Sequence, residues 1–151
     1  MKTSIEQTEG ANRPLWMIVD DNEDILSVMR EAAGRFSHAR IVCFDSPQAA
    51  LAAFEAGPEL FELVITDFEM PGMDGVELCH RLRAILPSAK ILLTTGSDLV
   101  SEETAAHEGF CGLLPKPFPF ATLRRLLKVI GVLDTQKTAG PNDFSAVLTS
   151  A

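Results

Sequence analysis

The stretch LVITDFEMPGMDG, residues 63–75, passes from an apolar run to turn-forming residues and then to the start of a helical pattern. It opens on apolar and β-branched residues and then reaches an acidic side chain, Asp67, which is typical of a buried strand that ends at a sheet edge. Pro71 and Gly72 favour a tight turn after the strand. Gly75 opens the helical pattern that follows, where a side chain would crowd the loop. The stretch therefore predicts a strand, a turn and a helix in succession.

The same alternation runs along most of the chain. Short apolar runs predict strands at 15–19, 41–44, 63–66 and 91–94, and a weaker run predicts a fifth at 110–114. Helical spacing of apolar residues fills the gaps, for example at Ile25, Met29, Phe36, Leu123, Leu127 and Ile130. Ser46 before Pro47 predicts a helix start, and Pro87 predicts the end of the third helix. Strands alternating with helices predict an α/β fold with a doubly wound parallel sheet.

Length and charge limit what such a domain can do. The chain has 151 residues, 46% of them hydrophobic, which suits one domain at 14–132 between an N-terminal tail at 1–13 and a C-terminal tail at 133–151. We expect no separate output domain, because the C-terminal tail is too short to form one. The formal net charge of −8 disfavours contact with a nucleic-acid backbone.

Cysteine usage and hydropathy predict a cytoplasmic location. Cys43, Cys79 and Cys111 are an odd number without a CxxC pair, so neither a disulfide framework nor a zinc site is indicated. The first residues lack the apolar core of a signal peptide, and no run has the roughly 18 apolar residues of a membrane helix. We therefore expect no membrane contact.

Polar side chains cluster at the predicted strand ends. Asp20 and Asp21 follow the first strand, Asp67 the third, Thr95 the fourth and Lys116 the fifth. Ligands of such sheets bind at the carboxyl ends of the strands, so these side chains should converge. Three neighbouring carboxylates repel one another unless a cation lies between them, and hard oxygen ligands favour Mg²⁺ together with phosphate oxygens. The pattern predicts a site for a metal ion and an anion.

The chain resembles the receiver domains of two-component response regulators. The motifs that carry the resemblance, at about 14–132, are VDD at 19–21, TDFEMPGMDG at 66–75, TG at 95–96 and LPKPF at 114–118. Their order and placement at successive strand ends make the match specific. The resemblance implies a flavodoxin-like receiver fold with strand order 2-1-3-4-5.

The resemblance also implies the role of each site residue. Asp67 would be the phosphoacceptor, a carboxylate nucleophile that takes a phosphoryl group from a phosphohistidine. Asp21 would bind Mg²⁺ directly and Asp20 through water, and Asp67 and the backbone carbonyl of Glu69 would complete the protein ligands. Lys116 would contact a phosphoryl oxygen on the side away from the metal.

Two further features follow from the family pattern. Thr95 would swing toward the attached phosphoryl group and so move its loop, and the peptide before Pro117 would be cis and aim Lys116 inward. Three residues before Lys116 the family often has Tyr or Phe, whose ring turns inward with the threonine. This chain has Leu113 there, and it contains no Tyr.

The function implied is a signalling switch and not an enzyme with its own substrate. A histidine kinase or a histidine phosphotransfer protein would supply the phosphate, and the fourth helix, fifth strand and fifth helix would contact a downstream protein. A phosphate shuttle or sink in a phosphorelay is the alternative. A small Mg²⁺-dependent aspartyl phosphatase is a third reading, but such enzymes commonly place a second Asp two residues after the nucleophile, where this chain has Glu69.

Overall fold

The sheet of this protein is five-stranded and entirely parallel, in the order β2-β1-β3-β4-β5. The computed structural model describes residues 13–133. The predicted α/β class, the doubly wound sheet and the strand order are confirmed. The predicted tails at 1–13 and 133–151 lie outside the described residues, except that Arg13 Nε donates to His38 O at 2.6 Å and Leu133 packs against the core.

The five strands differ from their predicted bounds only at their ends. They are β1 Leu15–Val19, β2 Arg40–Phe44, β3 Phe61–Asp67, β4 Ile91–Thr95 and β5 Gly112–Pro115. Asp67 and Thr95 are thus the last residues of their strands. β5 begins later than predicted because the backbone N–H of Phe110 donates to Ala105 O and so closes the preceding helix.

The described residues form five helices, of which four connect successive strands and the fifth follows β5. They are α1 Glu23–Phe36, α2 Pro47–Ala56, α3 Gly75–Ile85, α4 Glu102–His107 and α5 Phe120–Ile130, with a 3₁₀ turn at Pro58–Leu60. Ser46 caps α2 and Pro47 is its first residue, as predicted, and α3 ends before Pro87. Between residues 13 and 133 no helix has both the length and the apolar character that crossing a bilayer requires.

Side chains alternate along each strand and form a core on both faces of the sheet. On one face, Val64 and Leu93 pack with Leu78 and Leu82 of α3. On the other, strand residues that include Trp16, Ile18, Ile65 and Leu114 pack with residues of α1 and α5, among them Met29, Ala32, Leu123 and Leu127. The central strands β1, β3 and β4 are therefore buried on both sides, and polar residues at their carboxyl ends reach solvent only at the sheet edge.

Candidate functional site

The central strand β3 ends at Asp67, and its neighbours bring the other polar side chains to the same edge. The register pairs Val19 of β1 with Thr66, and Thr94 of β4 with Asp67. Asp20 therefore follows its strand beside Asp67, and Thr95 stands on the other side. The predicted convergence at the carboxyl edge is observed.

Lys116 connects two of the carboxylates. Its Nζ donates to Asp20 Oδ2 at 2.8 Å and to Asp67 Oδ1 at 3.0 Å. The Lys116–Pro117 peptide is cis, as the resemblance implied. The ammonium group therefore reaches inward from the end of β5 across the end of β4 and bridges carboxylates that are 96 and 49 residues away in the sequence.

The three aspartates form a strongly repulsive cluster. One carboxylate oxygen from each of Asp20, Asp21 and Asp67 lies within 4.8 Å of the other two. At an effective dielectric constant of 20, two unit charges at that distance repel by ~3.5 kcal/mol. A single lysine offsets part of this repulsion, and the cluster keeps a net negative charge.

Burial changes the pKa values of Asp67 and Lys116. Desolvation raises the pKa of Asp67 above its ordinary 3.8, and the charge of Asp20 raises it further, whereas the hydrogen bond from Lys116 lowers it only in part. Desolvation lowers the pKa of Lys116, but its hydrogen bonds to both carboxylates outweigh that effect and the pKa is raised above 10.5. Lys116 therefore stays protonated, and its single positive charge is shared by Asp20 and Asp67. A second cation would stabilise the ionised form of Asp67.

The aspartates differ in what they can offer to a cation. Asp20 is 2% exposed and both of its oxygens accept hydrogen bonds, Oδ1 from the backbone N–H of Asn22 at 2.9 Å and Oδ2 from Lys116. Asp21 is exposed, and its carboxylate has no hydrogen bond to another described residue. Hard, charged oxygen donors with open positions are the set that Mg²⁺ takes. The residues present fit Mg²⁺, with Asp21 and Asp67 better placed than Asp20 for direct ligation.

Glycine is required where α3 begins. A Cβ on Gly75 would lie 2.3 Å from the backbone oxygen of Asp67 and 3.2 Å from Phe68 Cα. Thr66 Oγ1 also donates to that oxygen, at 3.0 Å, and Gly75 N donates to Phe68 O at 2.8 Å. Gly72, with φ of +85°, makes the turn between the end of β3 and the start of α3. The loop thus folds tightly onto the end of β3 and fixes the backbone of Asp67, as the sequence predicted for Gly75.

Thr95 is buried at the end of β4, on the side of Asp67 opposite to Asp20. Its Oγ1 accepts a hydrogen bond from the backbone N–H of Ser97 at 2.9 Å, and the residue is 3% exposed. Leu113 lies in the core beneath α4 and is 8% exposed, so an aliphatic side chain fills this position of β5. Thr95 is therefore linked to the loop that leads into α4, and no aromatic ring accompanies it at position 113.

All the predicted site residues line one open cleft of about 650 Å³. Those residues are Asp20, Asp21, Asp67, Glu69, Thr95 and Lys116. Asn22 also belongs to this cleft and was not predicted: its backbone N–H donates to Asp20, and its side chain caps α1 by accepting from Asp24 N and Ile25 N. An Asn directly after an acidic pair and before a helical pattern is the signal that could have found it.

The comparisons with known proteins agree with this geometry. Residues 16–128 match the family model of the response regulator receiver domain. A response regulator receiver protein of Anaeromyxobacter sp. (strain Fw109-5) is 36% identical over 105 residues, which are 68% of this chain and 42% of that protein. The response regulator protein FleR of Pseudomonas aeruginosa is 31% identical over 128 residues, 83% of this chain and 26% of that protein.

A solved structure shows the same likeness. The response regulator TrrA of Thermotoga maritima, in complex with Mg²⁺ and beryllium fluoride, has 26% identity and a TM-score of 0.69, covering 78% of this chain and 98% of the other. The chain spans less than half the length of the first curated relatives that it matches. On the fold, the family match and the relatives, the chain belongs to the response regulator receiver domains of two-component systems.

Proposed function

We propose that this domain is a phosphorylation-activated switch in which Asp67 accepts a phosphoryl group in a Mg²⁺-dependent reaction. The observation that carries the proposal is the position of Asp67, at the end of the central strand within 3.0 Å of the Lys116 ammonium and beside Asp20 and Asp21. The nucleophile, its compensating cation and the candidate metal ligands meet in one cleft.

On the acceptor side, phosphoryl transfer would use the groups of this cleft. A carboxylate oxygen of Asp67 attacks phosphorus, the N–P bond of a phosphohistidine breaks, and the imidazole keeps the electron pair and takes up a proton, leaving an acyl phosphate. Mg²⁺ held by Asp21, Asp67 and the Glu69 carbonyl, with Asp20 behind a water, would neutralise charge on the phosphoryl oxygens. Lys116 supplies a second positive charge on the other side of the acceptor.

The contact between Thr95 and Ser97 favours a switch over a phosphate shuttle or sink. The Thr95 hydroxyl can donate to a phosphoryl oxygen on Asp67, and its present partner is the backbone N–H of Ser97, at the start of the loop before α4. Turning toward the phosphoryl group would release that loop. The signal would leave through α4, β5 and α5 to a downstream protein, with a histidine kinase or a phosphotransfer protein as donor. A cytoplasmic location stays a prediction.

A small-molecule phosphodonor tests the proposal. Incubation with acetyl phosphate and Mg²⁺ should add one phosphoryl group to the wild type, measured by intact mass, and hydroxylamine should remove it. Asp67→Asn should gain none. Asp74→Asn is the matched control, since it removes a nearby exposed carboxylate while asparagine still caps α3. Equal modification of Asp67→Asn and the wild type would show that the acceptor lies elsewhere.

The alternatives predict different behaviour. A switch should bind a target with different affinity before and after phosphorylation, whereas a sink need only exchange phosphate quickly with a phosphotransfer protein. Identical protein partners for the wild type and Asp67→Asn in a pull-down would contradict the switch. Turnover of a phosphomonoester would favour the aspartyl phosphatase instead.

A further inference from the structure

α4 has little apolar packing to hold it. It comprises only Glu102–His107, and Ala105 is its one buried side chain. Val100 before it and Phe110 after it contribute the remaining apolar contacts with the core. A buried methyl group stabilises a position by only ~1 kcal/mol, so the helix itself is weakly held and the contacts of the residues at its two ends decide where it lies.

Polar contacts from α3 meet only one end of α4. Arg83 Nε donates to Gly109 O at 2.7 Å, and His80 Nε2 lies 2.8 Å from Glu108 Oε2. Cys79 Sγ contacts Glu108 O at 3.8 Å. We call these three α3 side chains the α3 clamp. They contact the two residues that directly follow α4, Glu108 and Gly109, at the end of the helix where a cation is favoured.

The backbone conformation of Gly109 and its lack of a side chain allow the α3 clamp to approach closely. Its φ is +105°, a conformation that glycine adopts without strain, and a Cβ there would stand 2.9 Å from Arg83 Nε. Arg83 also donates from Nη1 to Pro87 O at 2.9 Å. The guanidinium group therefore joins the end of α3 to the end of α4 through two backbone carbonyls.

The other end of α4 has no such attachment. Among the described residues, the side-chain hydrogen bonds of 96–104 are local: Ser97 N donates to Thr95 Oγ1, Leu99 N to Ser97 Oγ, and Thr104 N to Ser101 Oγ. Leu99 is 92% exposed. In the part of the chain that the structure describes, one end of the helix is held to α3 by side-chain hydrogen bonds, whereas the other end has the apolar packing of Val100 and hydrogen bonds within the loop that begins at Thr95.

We propose that Arg83 is a positioning residue that makes the C-terminal end of α4 a fixed pivot, so that movement of Thr95 swings the N-terminal end. The proposal rests on the proposed function, because the phosphoryl group on Asp67 would be what moves Thr95. Without the pivot, the same movement would shift the whole helix and its surface would be poorly defined.

A matched pair of variants tests the clamp without any ligand. Arg83→Met keeps an apolar stem and removes the donors. Arg81→Met removes the same charge from α3 at an exposed residue whose side chain, within residues 13–133, is bonded to Glu77 alone, one turn away. In Arg83→Met, the amides of 108–110 should exchange hydrogen roughly tenfold faster, the effect of losing one charged hydrogen bond. Arg81→Met should leave them unchanged, and amides of β3 should be unchanged in both. Unaltered exchange at 108–110 in Arg83→Met would overturn the proposal.

The second measurement repeats hydrogen exchange with Mg²⁺ and beryllium fluoride as the probe. In the wild type, exchange should change at 96–101 and stay constant at 108–110, and in Arg83→Met the change should spread to 108–110. Equal changes at both ends of α4 in the wild type would refute a fixed pivot. If beryllium fluoride fails to bind, the proposed phosphorylation site is wrong, and the comparison without ligand still decides whether Arg83 anchors α4.

Discussion

Replacing Gly75 with alanine tests how tightly the loop after β3 holds the acceptor. The added Cβ would stand 2.3 Å from the backbone oxygen of Asp67, so backbone atoms must separate by 3.0 − 2.3 = 0.7 Å merely to reach the shortest tolerable contact. Overpacking of this kind costs ~1–3 kcal/mol. Because the displaced atom belongs to Asp67 itself, we also expect phosphorylation by acetyl phosphate to slow roughly tenfold.

Urea unfolding and the rate of phosphorylation, measured on the same preparations, check both effects. Gly34→Ala is the control, since a Cβ at Gly34 meets nothing within 4 Å and the residue lies inside α1. That variant should gain up to about 1 kcal/mol of stability from helix propensity and keep its phosphorylation rate. Wild-type stability together with a wild-type phosphorylation rate in Gly75→Ala would refute the argument from close approach.

Three other perturbations probe the carboxylate cluster and its support. Without divalent ions, Asp67→Asn should be ~1 kcal/mol more stable than the wild type near neutral pH, because repulsion and desolvation outweigh the attraction of Lys116. Because folding raises the pKa of Asp67, its stabilising contribution is complete below pH 3.8 and is lost as pH rises through the folded pKa. The unfolding free energy of Asp67→Asn, measured in urea, should therefore exceed that of the wild type by an amount that grows from about pH 4 upward. A difference that stays constant with pH would contradict this. Asp21→Ala should raise the Mg²⁺ concentration needed for half-maximal phosphorylation by at least about tenfold, and an unchanged requirement would remove Asp21 from the ligands. Asn22→Ala should lose ~1 kcal/mol of unfolding free energy with the cap of α1, as thermal or urea unfolding can show, yet still be phosphorylated, since the backbone N–H that holds Asp20 remains.

Much of the site was predictable because parallel strands deliver their carboxyl ends to one edge. Asp20, Asp67, Thr95 and Lys116 each stand at or just after the end of a strand, so finding the strands was enough to place them together. Strand boundaries were less predictable. The apolar Phe110 was assigned to β5, but its amide instead closes α4.

The alternation of strands and helices, the turn at Gly72 and the close approach at Gly75 could be predicted from the sequence, and so could the set of polar residues at the sheet edge. These features depend on local periodicity and backbone geometry. The partners of the two basic side chains Lys116 and Arg83, in contrast, became known from the folded arrangement. Lys116 bridges Asp20 and Asp67, and Arg83 reaches Gly109, across long separations in the chain. The first contact depends on the order of the strands in the sheet and the second on the packing of α3 beside α4, and no local pattern encodes either.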